Sequence, residues 1–497
     1  RPGDKVALCS RNTSNWGIVF LATLTYGAVA VPILNEFKPD TIHHIINHSG
    51  TRLLFVGKSV WDNIDHESMP ALDGIIAMAD YSVISSRNPV LLETATRLET
   101  LFSARHPGEL RIEDIHYRTE EPEELAMINY TSGTTSSPKG VMLPYRSMWS
   151  NLRYALDQMG YTPGEKLVSI LTMAHMYGLA FEFIYPFASG IHIYFLQKMP
   201  SPKILGEVFA DIRPHLIVAV PLIIEKIIKS RVLPQLEKFH IKLMLKMPII
   251  GGKIRHKIKR QILDAFGGRF KLLAVGGAAL NKEVEAFLHS VKFPDTVGYG
   301  MTECGPAIAF DHWQTFRPSS CGRAVDRMEI RIDSPDPFKQ VGEILTKGMN
   351  VMDGYYNNPE ASNTVLSPDG WLHTGDLGVL DPDGYLYIKG RSKSLILGPS
   401  GQNIYPEEIE DLLNAQPYIA ESLVIEREGK LVALVYPDAE AMKQNKISRE
   451  ALLKIIHETR KQINQQIPAY SQIARLEIHD EEFEKTPKRS IKRFLYQ

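Results

Sequence analysis

Residues 130 to 140 read Tyr-Thr-Ser-Gly-Thr-Thr-Ser-Ser-Pro-Lys-Gly, a run of hydroxyls and glycines closed by one lysine. An apolar stretch, Leu125 to Ile128, precedes it and predicts a strand. Hydroxyls and free backbone N–H groups at a strand end form a concavity for phosphate oxygens, and the ammonium adds a point charge. The candidate phosphate binders are Thr131, Ser132, Gly133, Thr134, Thr135 and Lys139. Lys139 precedes Gly140, whereas in the common nucleotide loop the lysine follows the second glycine and leads into Ser or Thr. Taken alone, the same composition also suits a surface turn.

The elements that must position this loop alternate in type. Short apolar runs at Val6 to Leu8, Ala28 to Ile33 and Arg52 to Val56 predict strands, with a helix-like stretch at Trp16 to Thr25 between the first two. Leu167 to Leu171, Ile191 to Phe195, Leu216 to Val220 and Leu272 to Val275 repeat the pattern. Strands alternating with helices predict stacked α/β layers with largely parallel sheets. From Val341 the pattern changes to short strands with Asp-Gly turns, as at Pro382-Asp383-Gly384, which predicts a β-rich subdomain. At 497 residues and 44% hydrophobic content the chain can bury a large core in more than one domain. A net charge of -1 gives no global signature of nucleic-acid binding. Cys9, Cys304 and Cys321 show neither ligand spacing nor a disulfide framework, so a reducing, cytoplasmic setting is expected. The longest apolar runs, such as Leu216 to Ile224, are too short to cross a bilayer.

Five segments resemble, in order, the adenylate-forming superfamily of acyl- and aryl-CoA synthetases, luciferases and adenylation domains. They are TSGTTSSPKG from Thr131, AHMYGL from Ala174, VGYGMTECGP from Val297, WLHTGDLG from Trp371, and IKGRSKSLI with GQNIYPEEIE from Ile388. FEKTPKRSIKR near the C-terminus matches in part. The resemblance implies a large N-terminal domain over 1–391 and a small α+β lid over 392–497, hinged at Lys393. It also implies that Arg1-Pro2-Gly3 lies inside the first domain and that a native N-terminal segment is missing. The implied chemistry is attack of a carboxylate on the α-phosphate of ATP, giving acyl-AMP and pyrophosphate, followed by thiol attack that releases AMP.

Charge gathered at phosphorus calls for a metal and fixed donors. The resemblance assigns Glu303 to Mg²⁺, Thr302 to the α-phosphate and Tyr299 to the adenine face, with Gly300 and Met301 in the same turn. Asp376 and Arg391 fall to the ribose. Gly276, Gly277 and Ala278 would run beside the nucleotide and the acyl carboxylate, with His175 at the mouth of the acyl pocket. Met173, Met176, Tyr177, Leu179 and Phe181 would wall that pocket. Gly401 and Gln402 would border the CoA tunnel. No acid lies within Met173 to Ala180 to receive a substrate amino group, although Glu182 is near.

Residues 224–260 hold eleven Lys and Arg against Glu225 and Glu237, with Ile and Leu interleaved. Such a stretch reads either as a solvated helical face or as a contact with an anionic membrane. It looks most like the long-chain fatty acyl-CoA synthetases. The expected activity is therefore ATP- and Mg²⁺-dependent ligation of a medium-to-long-chain fatty acid to CoA. The alternatives are loading of a carrier protein and a catalytically impaired binding relative.

Three positions depart from the family pattern. Ser136 replaces a loop glycine, and Tyr145 stands where many members have His. Four positions after Thr486, where the family carries an essential lysine, the chain has Ser490. Lys488 and Lys492 flank it as candidate substitutes.

Overall fold

A computed structural model describes the chain except residues 120, 132–137, 199, 222–223, 226–227, 229–247, 398–401, 486–490 and 497, and the side chains of 248–254. Two sheets dominate residues 1–300. The first runs, edge to edge, Gly354–Tyr355, Lys139–Pro144, Leu125–Thr131, Val29–Pro32, Lys5–Cys9, Thr51–Val56, Gly74–Ala77 and Val83–Ser86. Its inner strands are parallel and its edge pairings antiparallel. The second, Asp295–Val297, Leu272–Val275, Leu216–Ala219, Lys166–Ser169 and His192–Phe195, is parallel throughout.

Successive strand residues point to opposite faces, so continuous apolar runs bury both sides of a sheet. Ala7 and Cys9 enter one core while Leu8 enters another. Leu216 and Val218 face the central core, and Ile217 and Ala219 face the one beyond. The central core lies between the two sheets, with Trp16 and Phe20 of the helix Ser14–Thr25 stacked at 5.4 Å within it.

A four-stranded antiparallel sheet follows, in the order Met328–Asp333, Gly342–Gly348, Leu372–Leu380 and Leu386–Arg391. Beyond residue 392, Ile419–Arg427, Lys430–Pro437 and Ile473–Ile478 form a separate sheet. It shares a core with the helices Pro406–Asn414 and Arg449–Asn464. The α/β fold expected from the sequence is thus present.

Candidate active site

The antiparallel sheet presents Asp376. This residue lies opposite Arg391 in the strand register, with Oδ1 3.1 Å from Arg391 Nε. Its Oδ2 accepts from the Tyr299 hydroxyl at 2.7 Å. Burial and the adjacent carboxylate push the Tyr299 phenol well above its ordinary range, which keeps it protonated and donating. Glu343 fixes the preceding turn, accepting from Gly375 N at 2.9 Å and lying 2.9 Å from His373 Nδ1. Gly375 has φ +72°, a left-handed backbone that a side chain would strain. Thr374 Oγ1 donates to Ile344 O and accepts from Asp376 N.

Glu303 is held by a different set of contacts. Asn151, on the helix Tyr145–Met159, accepts from Ala307 N at 2.9 Å and donates to Cys304 O at 3.2 Å. Asn350 donates to Ala307 O, Ser147 donates to Asn350 O, and Met352 N donates to Glu303 O. These bonds clamp the short helical turn Thr302–Cys304 between that helix and residues 349–352. Gly300 packs closely enough that a Cβ would lie 2.2 Å from Pro306 O. Glu303 Oε1 accepts from the Tyr355 hydroxyl at 2.9 Å, and Lys139 Nζ sits 4.8 Å from the centre of the Tyr355 ring.

No cluster of three or more His, Cys, Asp or Glu side chains among the described residues could hold a resident metal. A lone carboxylate with one oxygen unpartnered among the described residues fits Mg²⁺ that arrives on substrate phosphates.

Lys139 opens the strand Lys139–Pro144, in register with Thr131 at the end of Leu125–Thr131. Ser132, Gly133, Thr134, Thr135 and the departure at Ser136 lie outside the described residues. Tyr145, the second departure, donates its hydroxyl to Leu24 O at 2.8 Å and so anchors the helix it begins.

Gly276, Gly277 and Ala278 leave the end of Leu272–Val275. Tyr177 lies over them: its hydroxyl donates to Ala274 O at 3.1 Å, and a Cβ on Gly276 would meet its ring at 3.0 Å. Gly277 has φ +85°. His175 precedes the helical turn Met176–Gly178. Asn129, in the strand Leu125–Thr131, donates to Ala174 O and ties the two segments together. Met173, Met176 and Leu179 belong to the central core, and Phe181 is buried with them.

Glu182 is fully buried. It accepts from Ser169 Oγ, Ile170 N and Leu171 N at 2.9–3.2 Å, and burial pushes its carboxyl up to about 8. Its role is to hold a strand end.

Lys393 is exposed in the turn Ser392–Ser394, and Ser392 Oγ donates to Gly375 O. Gln402 is half-buried, while Gly401 lies outside the described residues. Lys492 pairs with Glu484 at 3.2 Å. Neighbouring Arg493 grips both Glu410 oxygens at 2.8 Å and Val424 O at 2.7 Å. Lys488 and Ser490 fall outside the described residues. Of the basic stretch, the described helix Pro248–Ala265 buries Ile258 and Ile262 in the core beyond the second sheet and turns Arg255, Lys257 and Arg260 to solvent. No described helix is long and apolar enough to cross a membrane.

Tyr355, Glu343, Asn151 and Asn350 were not among the residues singled out by sequence. Each acts on the site from a distant segment, and only Tyr355 carries a local hint, the Gly-Tyr-Tyr at 354–356.

A family model described as AMP-binding enzyme matches residues 1–356, and one described as AMP-binding enzyme C-terminal domain matches 393–496. The "Long chain acyl-CoA synthetase 7, peroxisomal" of Arabidopsis thaliana is 28% identical over 473 residues, covering 89% of this chain and 66% of the relative. The "Long-chain-fatty-acid--CoA ligase FadD15" of Mycobacterium bovis is also 28% identical, over 88% of this chain and 74% of the relative. The chain thus spans about two thirds of the Arabidopsis protein. Among solved structures, ATP-bound MatB from Rhodopseudomonas palustris superposes with a TM-score of 0.76 at 22% identity, covering 100% of this chain and 88% of that one. MenE from Bacillus subtilis in complex with AMP gives 0.73 at 21%, covering 100% and 89%.

Proposed function

The chain belongs to the AMP-binding enzyme family and is most like the long-chain fatty acyl-CoA synthetases, and from that premise we propose that it activates a medium-to-long-chain fatty acid with ATP and passes the acyl group to CoA. The supporting observation is the junction at Asp376, where a buried carboxylate is fixed by Tyr299 and Arg391 on the strand that leads to the hinge. Asp376 would accept from the ribose hydroxyls, and Tyr299 would present its ring to adenine. Lys139 and Thr131 would address the phosphates, and Thr302 the α-phosphate.

In the first step a carboxylate oxygen attacks the α-phosphorus and the bond to pyrophosphate breaks. In the second, a thiol attacks the acyl carbon, loses its proton and expels AMP. Mg²⁺ bound through Glu303 would offset charge on the phosphates during the first step. Tyr177, lying over Gly276, would border the acyl carboxylate together with His175, and Gln402 would meet the CoA arm when the lid turns on Lys393.

Ser490 favours a second reading, a weakened catalyst that binds nucleotide and acid, because a serine cannot supply the charge of the family's lysine. A panel of carboxylic acids from acetate to palmitate, assayed for pyrophosphate and AMP with no acceptor, with CoA or with a carrier protein, tests both. Each buried methylene contributes roughly 0.8 kcal/mol, so a long-chain pocket gives a steep length dependence. A flat profile contradicts the fatty-acid assignment, and absence of pyrophosphate with every acid leaves the binding protein.

A further inference from the structure

We propose that Tyr355 is a positioning residue that keeps the Glu303 carboxylate and the Lys139 ammonium apart, so that one stays available to the metal and the other to the phosphates. This rests on the assignments of Glu303 and Lys139 given above. Tyr355 is 7% exposed and touches both groups: its hydroxyl donates to Glu303 Oε1, and its ring lies beneath Lys139 Nζ. Among the described residues Glu303 and Lys139 form no ion pair with each other.

The backbone makes this spacing rigid. Gly354–Tyr355 pairs with the strand that Lys139 begins, Tyr355 opposite Val141, and Tyr356 N donates to Gly140 O at 2.7 Å. On the other side Met352 N donates to Glu303 O, and Tyr355 N donates to Ser362 Oγ at 2.8 Å. One short segment therefore sets the separation of two opposite charges that come from different parts of the chain. Without the phenol, Glu303 would be released toward Lys139. A contact pair of that kind has to be broken before either partner can serve a ligand.

The test is calorimetry of a non-hydrolysable ATP analogue across a Mg²⁺ titration, with urea unfolding of every variant. Tyr355→Phe keeps the ring and its packing and removes only the hydroxyl. It should raise the Mg²⁺ concentration for half-maximal binding about 10–100-fold, the usual effect of losing a group that orients a metal ligand. Glu303→Asp, too short to reach the phenol, should do the same. In a double-mutant cycle, Lys139→Met should reverse part of the Tyr355→Phe effect, because it removes the cation that captures Glu303.

If Tyr355→Phe and Glu303→Asp stay within twofold of wild type while Glu303→Gln raises the requirement, Tyr355 only fills the core and the proposal fails alone. A strictly additive cycle overturns the charge-separating role as well. An unchanged requirement in Glu303→Gln removes the metal assignment, and the proposal falls with it.

Discussion

Asp376 has four acceptor positions on its two oxygens, and Tyr299 and Arg391 occupy two of them. The carboxylate is therefore oriented and still able to accept two hydroxyls. Glu303 follows the same pattern, with one oxygen fixed by Tyr355 and the other without a partner among the described residues. Changing Glu303 to Ala should lower metal-dependent adenylation by about 10²–10³. The urea midpoint should hardly move, because Glu303 is half-buried and its turn is held through backbone and Asn151 contacts. Retained pyrophosphate release in the purified variant would remove the assignment.

Lys492 is a harder case, since it sits in an ion pair with Glu484 beside an arginine anchored to Glu410. If it replaces the lysine missing at Ser490, Lys492→Ala should slow adenylation far more than thioester formation from preformed acyl-AMP, with Lys488→Ala as the second variant. Should neither slow adenylation while Ser490→Lys accelerates it strongly, the wild type works without a substitute lysine.

The segment carrying His175 and Tyr177 depends on Glu182, whose carboxyl group accepts from the hydroxyl of Ser169 and the N–H groups of Ile170 and Leu171. Its carboxyl rises from 4.5 toward about 8 on folding, so the folded state holds the proton more tightly than the unfolded chain. That stabilisation is complete below about 4.5 and is lost as pH rises through about 8. Glu182→Gln stays neutral, so it should flatten the fall in stability across this window. It should also be less stable than wild type at the acid end, because its amide NH₂ faces a donor. Urea midpoints between pH 5 and 8 decide it, and parallel slopes in the two proteins would count against Glu182 as the titrating group.

The strands around Glu182 were legible because burial on both faces demands unbroken apolar runs, such as Leu216–Ala219 and Leu272–Val275. The antiparallel subdomain announced itself through Asp-Gly turns. What sequence did not reveal are couplings across the fold. Tyr355 reaches Glu303 from 52 positions away, and Asn151 reaches Ala307 from 156. No local period encodes such pairs. The Met-rich run after residue 172 shows a related limit on local reading: core and pocket wall use the same side chains, and Met173, Met176 and Leu179 are buried.

At the scale of the whole molecule, the residues beyond 392 have their own core. Their helix Pro406–Asn414 packs on the strand that ends at Arg391. Glu408 lies 3.2 Å from Lys389, and Glu407 is so near Gly390 that a Cβ there would stand 2.9 Å from its carboxylate. Burial pushes Asp411 of the same helix up to about 6, although Lys282 of the N-terminal body opposes the shift. If the residues beyond 392 act as a lid, rotating it would break these contacts and turn the chain at residues 392–394. Lys393 is exposed, so its side chain does not hold the present arrangement. Proline is tolerated in the first turn of a helix and fixes φ near a helical value, so Lys393→Pro should preserve the observed junction and resist departure from it. If the two steps use different lid positions, one of them should slow by on the order of 10²-fold, the scale of loss for a misplaced reacting group. Thioester formation is the step expected to suffer, with adenylation largely retained, provided the observed junction is the one that suits the first step. Single-turnover rates for acyl-AMP formation and for its transfer to CoA would separate the two. Equal loss of both in a variant that unfolds like wild type would mean the lid does not turn at this residue.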